Sequence, residues 1–372
     1  MSSSSLIPVI RFGALGDMIV LTPLLRALRE RHGRPCLVIG MGPWTRAVYQ
    51  GNPDVRRIIV LSRHLPFACD AAWWAAVIAL RRCQDAPVYV CEERRASQVE
   101  RLLAFAGIDR SRRVIRCEKL DQPCDHEIER ILRIGDHGAG SLAPAASPAT
   151  PSLVVLEHER LKRDEWLTAR GWRDRPLVLV QPGNRRTMSS RRGRHRKRNR
   201  DDKAWPIESW RQMLRSIHTR MPQALLLLCG APAEAAFLEE IRRAAALECV
   251  SPAVLDLRSL FALCETAHSM ISIDSGPAHA AAALGLPLVV MFGGHSPDRW
   301  LPRSPGTPVI RVGGPPECSR VDQIPVDAVV ESWWQLSQRL TAAMAGDPVR
   351  SADASRYDSS EHQASNTALT GI

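Results

Sequence analysis

Short apolar runs recur along this chain, each closing on a small or polar residue and followed by a segment with helical apolar spacing. In the first half the pattern predicts strands at Val9–Phe12, Cys36–Gly40, Ile58–Leu61, Val88–Cys91 and Val114–Arg116. Helices are predicted over Met18–Arg31, Trp44–Tyr49, Ala71–Cys83 and Arg95–Ala106. Trp73 and Trp74 share one of these helices, which points one ring to the core and the other to the surface. An exposed ring there could touch an amphipathic acceptor or a membrane surface.

The segment Gly138–Ser152, rich in Ala, Pro, Gly and Ser, reads as a linker. Apolar Leu153–Leu156 and a charged helix over Glu157–Arg170 follow it. A second alternating set has strands at Leu177–Gln181, Ala224–Cys229, Val254–Leu257, Met270–Ile273 and Leu288–Phe292. Its helices are expected over Ile207–Met221, Glu234–Leu247, Leu260–His268 and Ala278–Leu284. Val326–Met344 is a last amphipathic helix, and the tail 346–372 lacks clustered apolar residues and is expected to be disordered. The fold class is α/β: two Rossmann-like halves, each a parallel sheet between helical layers. The expected domains are 1–152 and 153–325, followed by a helix at 326–345.

Length and composition suit this plan, with 372 residues, 45% hydrophobic and 24% charged. No apolar run approaches the ~20 residues that span a bilayer. The start has no basic region ahead of a long apolar one, so no secretory signal is expected. Ten cysteines without a C-x-x-C pair read as reduced thiols of a cytoplasmic protein. The net charge of +11 has a local source: residues 185–200 hold nine Lys or Arg and no acid. The remaining 41 basic and 39 acidic side chains nearly cancel, so the high charge does not imply a nucleic-acid-binding fold.

Candidate chemistry gathers where strands end. After the strand at Met270–Ile273 come Asp274, Ser275, Gly276, Pro277 and His279. Ser275 is placed to cap the next helix and Pro277 suits its first turn. The free N–H groups of that turn favour an anionic group such as a phosphate; an ordinary capped turn with a satisfied histidine fits equally well. Gly13-Ala-Leu-Gly16-Asp17 follows the first strand, but neither nucleotide-binding glycine fingerprint is present. Asp17 is either a helix-dipole partner or a carboxylate facing a cleft. In the second half, Gly183 and Asn184 follow a strand, Lys203 precedes a helix, and Glu234 follows another strand. Lys203 could neutralise a diphosphate and Glu234 could accept from ribose hydroxyls; alternatively they are an exposed lysine and a helix-start acid. All would line the carboxyl edge of one sheet.

Taken together, Arg11-Phe-Gly-Ala-Leu-Gly-Asp17, Leu21-Thr-Pro-Leu-Leu-Arg26, Asp201-Asp-Lys-Ala-Trp-Pro206, Gly230-Ala-Pro-Ala-Glu234 and Asp274-Ser-Gly-Pro-Ala-His279 with Phe292-Gly293 resemble glycosyltransferase family 9, the lipopolysaccharide heptosyltransferases. The resemblance runs from about residue 9 to about residue 340. It implies a GT-B fold with the final helix crossing back to the first domain. It also implies an inverting, metal-independent transfer from a nucleotide-diphosphate sugar, usually ADP-heptose, with no cofactor. The acceptor would be a lipopolysaccharide core or another lipid-linked or oligosaccharide acceptor.

By the same resemblance Asp17 is the general base, flanked on the acceptor side by Gly13 and Gly16. Lys203 contacts the diphosphate, Glu234 the ribose, and Asp274, Ser275, Gly276 and His279 hold the nucleotide. The absence of any D-x-D triplet agrees with metal independence. The basic run 185–200 departs from the family pattern. It is a donor flap, a contact with anionic lipid at the inner membrane face, or a solvated loop. Two other readings stay open: a nucleic-acid binder acting through that loop, and a GT-B-like sugar-nucleotide epimerase.

Overall fold

The computed structural model describes residues 6–63, 65–83, 85–92, 95–115, 125–136, 149–184 and 202–344. The basic run 185–200, Asp201, most of the linker Gly138–Ser152 and the tail 346–372 lie outside the described residues.

Two parallel sheets form as the alternating pattern predicts. The first contains β1 (Ile7–Ile10), β2 (Cys36–Met41), β3 (Val55–Leu61), β4 (Val88–Val90) and β5 (Arg113–Ile115), in the order β3-β2-β1-β4-β5. The second contains β6 (Leu177–Gln181), β7 (Leu225–Gly230), β8 (Val250–Val254), β9 (Ser269–Ile273), β10 (Leu288–Phe292) and β11 (Val309–Gly313). Its order is β11-β10-β9-β6-β7-β8. In each sheet the order reverses beside a central strand, β1 in the first and β6–β9 in the second, which opens a crevice at the carboxyl ends. The central strands β1, β2, β6, β7, β9 and β10 are buried along their whole length, as fits sheets covered on both faces. Trp73 is in the core and Trp74 is exposed, as the helical spacing requires.

The structure departs from the sequence pattern in several places, each with a local cause. The helix expected over Met18–Arg31 is two helices, Leu15–Ile19 and Thr22–His32. Pro23 has no N–H to return to the Ile19 carbonyl, and the Thr22 hydroxyl donates to that carbonyl instead, at 2.8 Å. The strand expected at Val254–Leu257 lies earlier, at Val250–Val254, on an edge where Pro252 is tolerated. Asp256 then accepts from Ser259 N–H at 2.7 Å and starts the helix Leu257–Cys264. The helix Glu127–Leu132 and the edge strand β11 were not anticipated. The first carries its own signal, because the His126 ring accepts from Ile128 N–H and Glu129 reaches back to accept from His126 N–H.

The last helix, Val326–Met344, has the predicted bounds but not the expected position. Its main packing is on its own half, against the helix Ile207–Arg220 and strands β10 and β11, rather than across to the first domain. Trp333 is fully buried there and donates its indole N–H to Ser269 Oγ at 3.0 Å, and Arg220 pairs with Glu331. Its apolar stripe covers the face of the sheet that the helix Ile207–Arg220 leaves open. Trp333→Ala should therefore destabilise the protein by about 3–5 kcal/mol in urea unfolding. A loss below about 1 kcal/mol would mean that this helix does not complete the second core.

Candidate active site

The loop after β1 is held from several sides. Glu92, just past β4, accepts from Phe12 N–H at 2.8 Å. The Trp44 indole donates to the Gly13 carbonyl at 2.9 Å, and the Tyr49 hydroxyl donates to the Met18 carbonyl at 2.8 Å. Asp17 sits in the first turn of the helix Leu15–Ile19, where its Oδ2 accepts from Ala14 N–H at 2.7 Å. Its other oxygen faces the Arg11 guanidinium at 3.1 Å. Gly13 is required here, because a Cβ on it would lie 2.3 Å from the Asp17 Cβ. Asp17 is thus both the helix-start acid of the bland reading and an anchored, partly accessible carboxylate.

Arg11 is 7% exposed, and it also donates to the Cys91 carbonyl and lies 3.7 Å from Glu127. Burial acts to lower its pKa, but Asp17, Cys91, Glu127 and Glu92 outweigh that and raise it, so the guanidinium stays charged.

In the second half, Asp274, the pair Gly183–Asn184, and Glu234 follow β9, β6 and β7, which are adjacent in the sheet. Asp274 is 5% exposed and accepts from Lys203 Nζ at 2.6 Å and from His295 Nδ1 at 2.9 Å. Lys203 also donates to the Asp274 carbonyl at 3.0 Å. Burial alone would push the Asp274 carboxyl up; the His295 hydrogen bond, the Lys203 charge and bond, and His279 together bring it down to about 2. Gly293 closes this corner, because a Cβ there would lie 2.3 Å from the Asp202 carbonyl.

The remaining second-half residues are placed as follows. Ser275 occupies the cap position of the helix Gly276–Ala283, but its hydroxyl makes no capping bond and lies 3.3 Å from the Ser272 hydroxyl, a correction to its expected role as a cap. Glu234 is buried, and it accepts from Ala231 N–H at 2.9 Å as a turn-capping acid. Gly183 offers its carbonyl to Gln181 at 3.2 Å, and buried Asn184 ends the described segment.

The two halves meet where the helices Leu15–Ile19 and Gly276–Ala283 begin. A Cβ on Gly16 would lie 3.0 Å from His279 Cδ2, and one on Gly276 would lie 2.7 Å from the Leu15 Cβ. His279 is buried; desolvation lowers its pKa, the carboxylates of Asp274 and Asp17 oppose this, and Lys203 adds to the lowering. The imidazole is therefore neutral at neutral pH. Further pairs fasten the halves beside this point: Arg299 to Glu127 at 2.8 Å, Arg303 to Glu129, and His126 to the Leu301 carbonyl at 2.8 Å. Arg258 reaches back to the Ala47 carbonyl at 2.9 Å.

The structure thus brings Gly16 against His279 and Leu15 against Gly276, with Gly13 and Asp17 on the first side of this contact and Lys203, Asp274 and Ser275 on the second. Sequence reasoning missed Arg11, Glu127, His295 and Arg299. Arg11 lies inside the first glycine motif and His295 two residues past Phe292-Gly293; Glu127 and Arg299 lie outside every motif.

Residues 193–325 match the model of glycosyltransferase family 9 (heptosyltransferase). Among solved structures, the glycosyl transferase family 9 protein from Veillonella parvula DSM 2008 is 16% identical with a TM-score of 0.69, covering 90% of this chain and 98% of that one. The Escherichia coli ADP-heptose lps heptosyltransferase II is 20% identical with a TM-score of 0.67, covering 91% of this chain and 100% of that one. The E. coli heptosyltransferase WaaC with ADP is 16% identical with a TM-score of 0.59, covering 89% and 99%. No curated protein matches the chain. The two sheets form a GT-B fold, and the match to the family 9 glycosyltransferase model lies in the second half.

The Asp274 cluster has a pH signature. Its carboxyl falls from an ordinary 3.8 to about 2 on folding, so its stabilisation is complete above the unfolded value and is lost as pH falls through about 2. In Asp274→Asn this contribution is absent. The difference in unfolding free energy between wild type and variant should shrink by about 2 kcal/mol between about pH 5 and pH 2. A difference that stays constant over that range would show that Lys203 and His295 do not hold the carboxylate.

Proposed function

We propose that this protein is an inverting, metal-independent glycosyltransferase that uses a nucleotide-diphosphate sugar, with ADP-heptose as the donor, and an acceptor of the lipopolysaccharide-core or related saccharide class. One observation carries the reading: Asp17, an anchored carboxylate of the first half, sits in the short helix whose Gly16 packs on His279 of the second half, and it interacts electrostatically with that ring, as do Asp274 and Lys203. The family match over residues 193–325 and the fold likeness to an ADP-heptose lps heptosyltransferase support this choice of donor and acceptor class.

The chemistry follows from the charges. An acceptor hydroxyl attacks the anomeric carbon from the face opposite the diphosphate, and Asp17 takes its proton as the new C–O bond forms. Arg11 holds one carboxylate oxygen and Ala14 N–H the other, so the base enters the reaction oriented. The old bond breaks toward the phosphate oxygen, where negative charge gathers. Lys203 and the positive end of the helix Gly276–Ala283, with the Gly276 N–H at its start, stabilise that charge. Asp274, itself held by His295, keeps the Lys203 ammonium at that end of the sheet until the diphosphate competes for it. Neutral His279 adds a hydrogen-bond donor without repelling a cation. Gly183, Asn184 and Glu234 flank the nucleotide along the same sheet edge, and ribose hydroxyls compete with Ala231 N–H for the Glu234 carboxylate.

No helix among the described residues is long and apolar enough to cross a membrane. A cytoplasmic protein working at the inner membrane face fits the proposed acceptor.

Asp17→Ala should lower transfer by about 10²–10⁴-fold while donor affinity, read by calorimetry, changes by less than about twofold. Wild-type turnover in that variant would end the assignment of the base. Lys203→Ala should weaken donor binding and turnover together, by about 10²-fold in kcat/KM. Unchanged donor affinity would place the diphosphate elsewhere.

A further inference from the structure

On the first half, away from the contact with the second, four large apolar side chains stand out of the surface together: Leu65 is 56% exposed, Trp74 40%, Ile78 48% and Phe105 40%. Trp74 and Ile78 are one turn apart on the helix Ala71–Arg82. Phe105 lies at the end of the neighbouring helix Ala96–Ala106, with its ring edge-on to Trp74 at 5.8 Å. Phe67 ties Leu65's loop to them, 5.6 Å from Phe105.

Three features set this patch apart from scattered surface hydrophobics. It is rimmed by cations: Arg81 and Arg82 end the same helix stripe, and the Arg101 guanidinium lies over the Phe67 ring at 5.1 Å. The acid beside it, Glu100, is taken by Arg113 at 2.7 Å. Its polar groups are also satisfied from within. The Trp74 indole N–H donates to the Ala68 carbonyl at 3.1 Å, and Arg81 donates to the Phe105 carbonyl at 2.7 Å. Burying this surface in an apolar medium therefore leaves neither of those groups without a partner. The patch also adjoins the proposed acceptor side. Arg63, two residues before Leu65, stacks 4.5 Å over Trp44, whose indole holds the Gly13 carbonyl.

We infer that this face is an interfacial docking surface for an anionic lipid bilayer. Its aromatic and aliphatic side chains enter the boundary between headgroups and acyl chains, and the arginines pair with lipid phosphates. Charge decides against self-association, since a second copy would set one arginine rim against another. The patch is separate from the basic run 185–200. The inference goes beyond the transferase reading and is tested without donor or acceptor.

The test is flotation of the full-length protein with vesicles of phosphatidylcholine alone and of phosphatidylcholine with phosphatidylglycerol. A parent in which the nine Lys and Arg of 185–200 are replaced by serine isolates the patch from that run. This parent should still float with the anionic vesicles and not with the neutral ones. Adding Ile78→Glu and Phe105→Glu, both exposed and so compatible with folding, should cut its partitioning by about tenfold or more. An unchanged thermal melt confirms that the variant is folded. The inference is overturned if the serine-substituted parent no longer floats, or if the glutamates leave its binding unchanged. It is also overturned if they instead convert a dimer to a monomer in sedimentation.

Discussion

The two halves touch where two helices begin, and both contacts depend on a missing side chain. Gly16 leaves room for the His279 ring, and Gly276 leaves room for Leu15. Any Cβ at Gly276 would push the helix starts apart. Their free N–H groups and the side chains at their ends would then face separate patches of water. Because the backbones approach closely, an acid anchored to one sheet and a lysine–aspartate pair anchored to the other share one small region. The hydrophobic contacts follow the same line. Phe261, Ala262, Ala280 and Ala283 of the second half join the core of the first, so the contact has an apolar floor beneath its polar rim.

Beside that contact, charges alternate in a row from Asp17 to Arg11, Glu127 and Arg299. Glu127 and Arg11 are buried, and a lone charge at either position would cost several kcal/mol. Each is instead flanked by opposite charge on both sides, so the row is neutral as a whole. Its first three members come from the first half and its last from the second. The arrangement ties the orientation of Asp17 to the seating of the second half, because Arg11 is shared between the acid that would react and the acid that Arg299 holds. In the second half the same logic is local: Asp274 stays ionised between Lys203 and His295 despite its burial.

The elements that were easy to read are those whose burial is complete. Leu177–Gln181 and Leu288–Phe292 have the bounds their apolar runs announce, because uniform burial leaves an uninterrupted signal, and the helices Trp44–Tyr49 and Val326–Met344 have the bounds their helical apolar spacing announces. Edge elements were harder. Strand β8 contains Pro252 and β11 is only partly buried, so neither shows a run or a clean alternation. The break at Thr22 was legible in principle, since Pro23 cannot donate to Ile19, but the apolar spacing runs through it unbroken. Asp17, Asp274 and His279 were legible as candidates because each sits at the end of a strand or beside a glycine turn, and Lys203 because it stands just before a helix start. Arg299 and Glu127 could not be, because their significance lies in a pairing across 172 residues of chain.

By itself, the amino-acid pattern determined the alternation of strands and helices, the two-sheet plan and the ends of strands at which chemistry would sit. These follow from local periodicity and turn chemistry, which act over a few residues. Tertiary structure alone decided that the last helix stays on its own sheet, that Ser275 does not cap, and that Gly16 packs on His279. Those outcomes turn on which surfaces fit and which charges end up within a few ångströms, and no short-range rule along the chain contains that information.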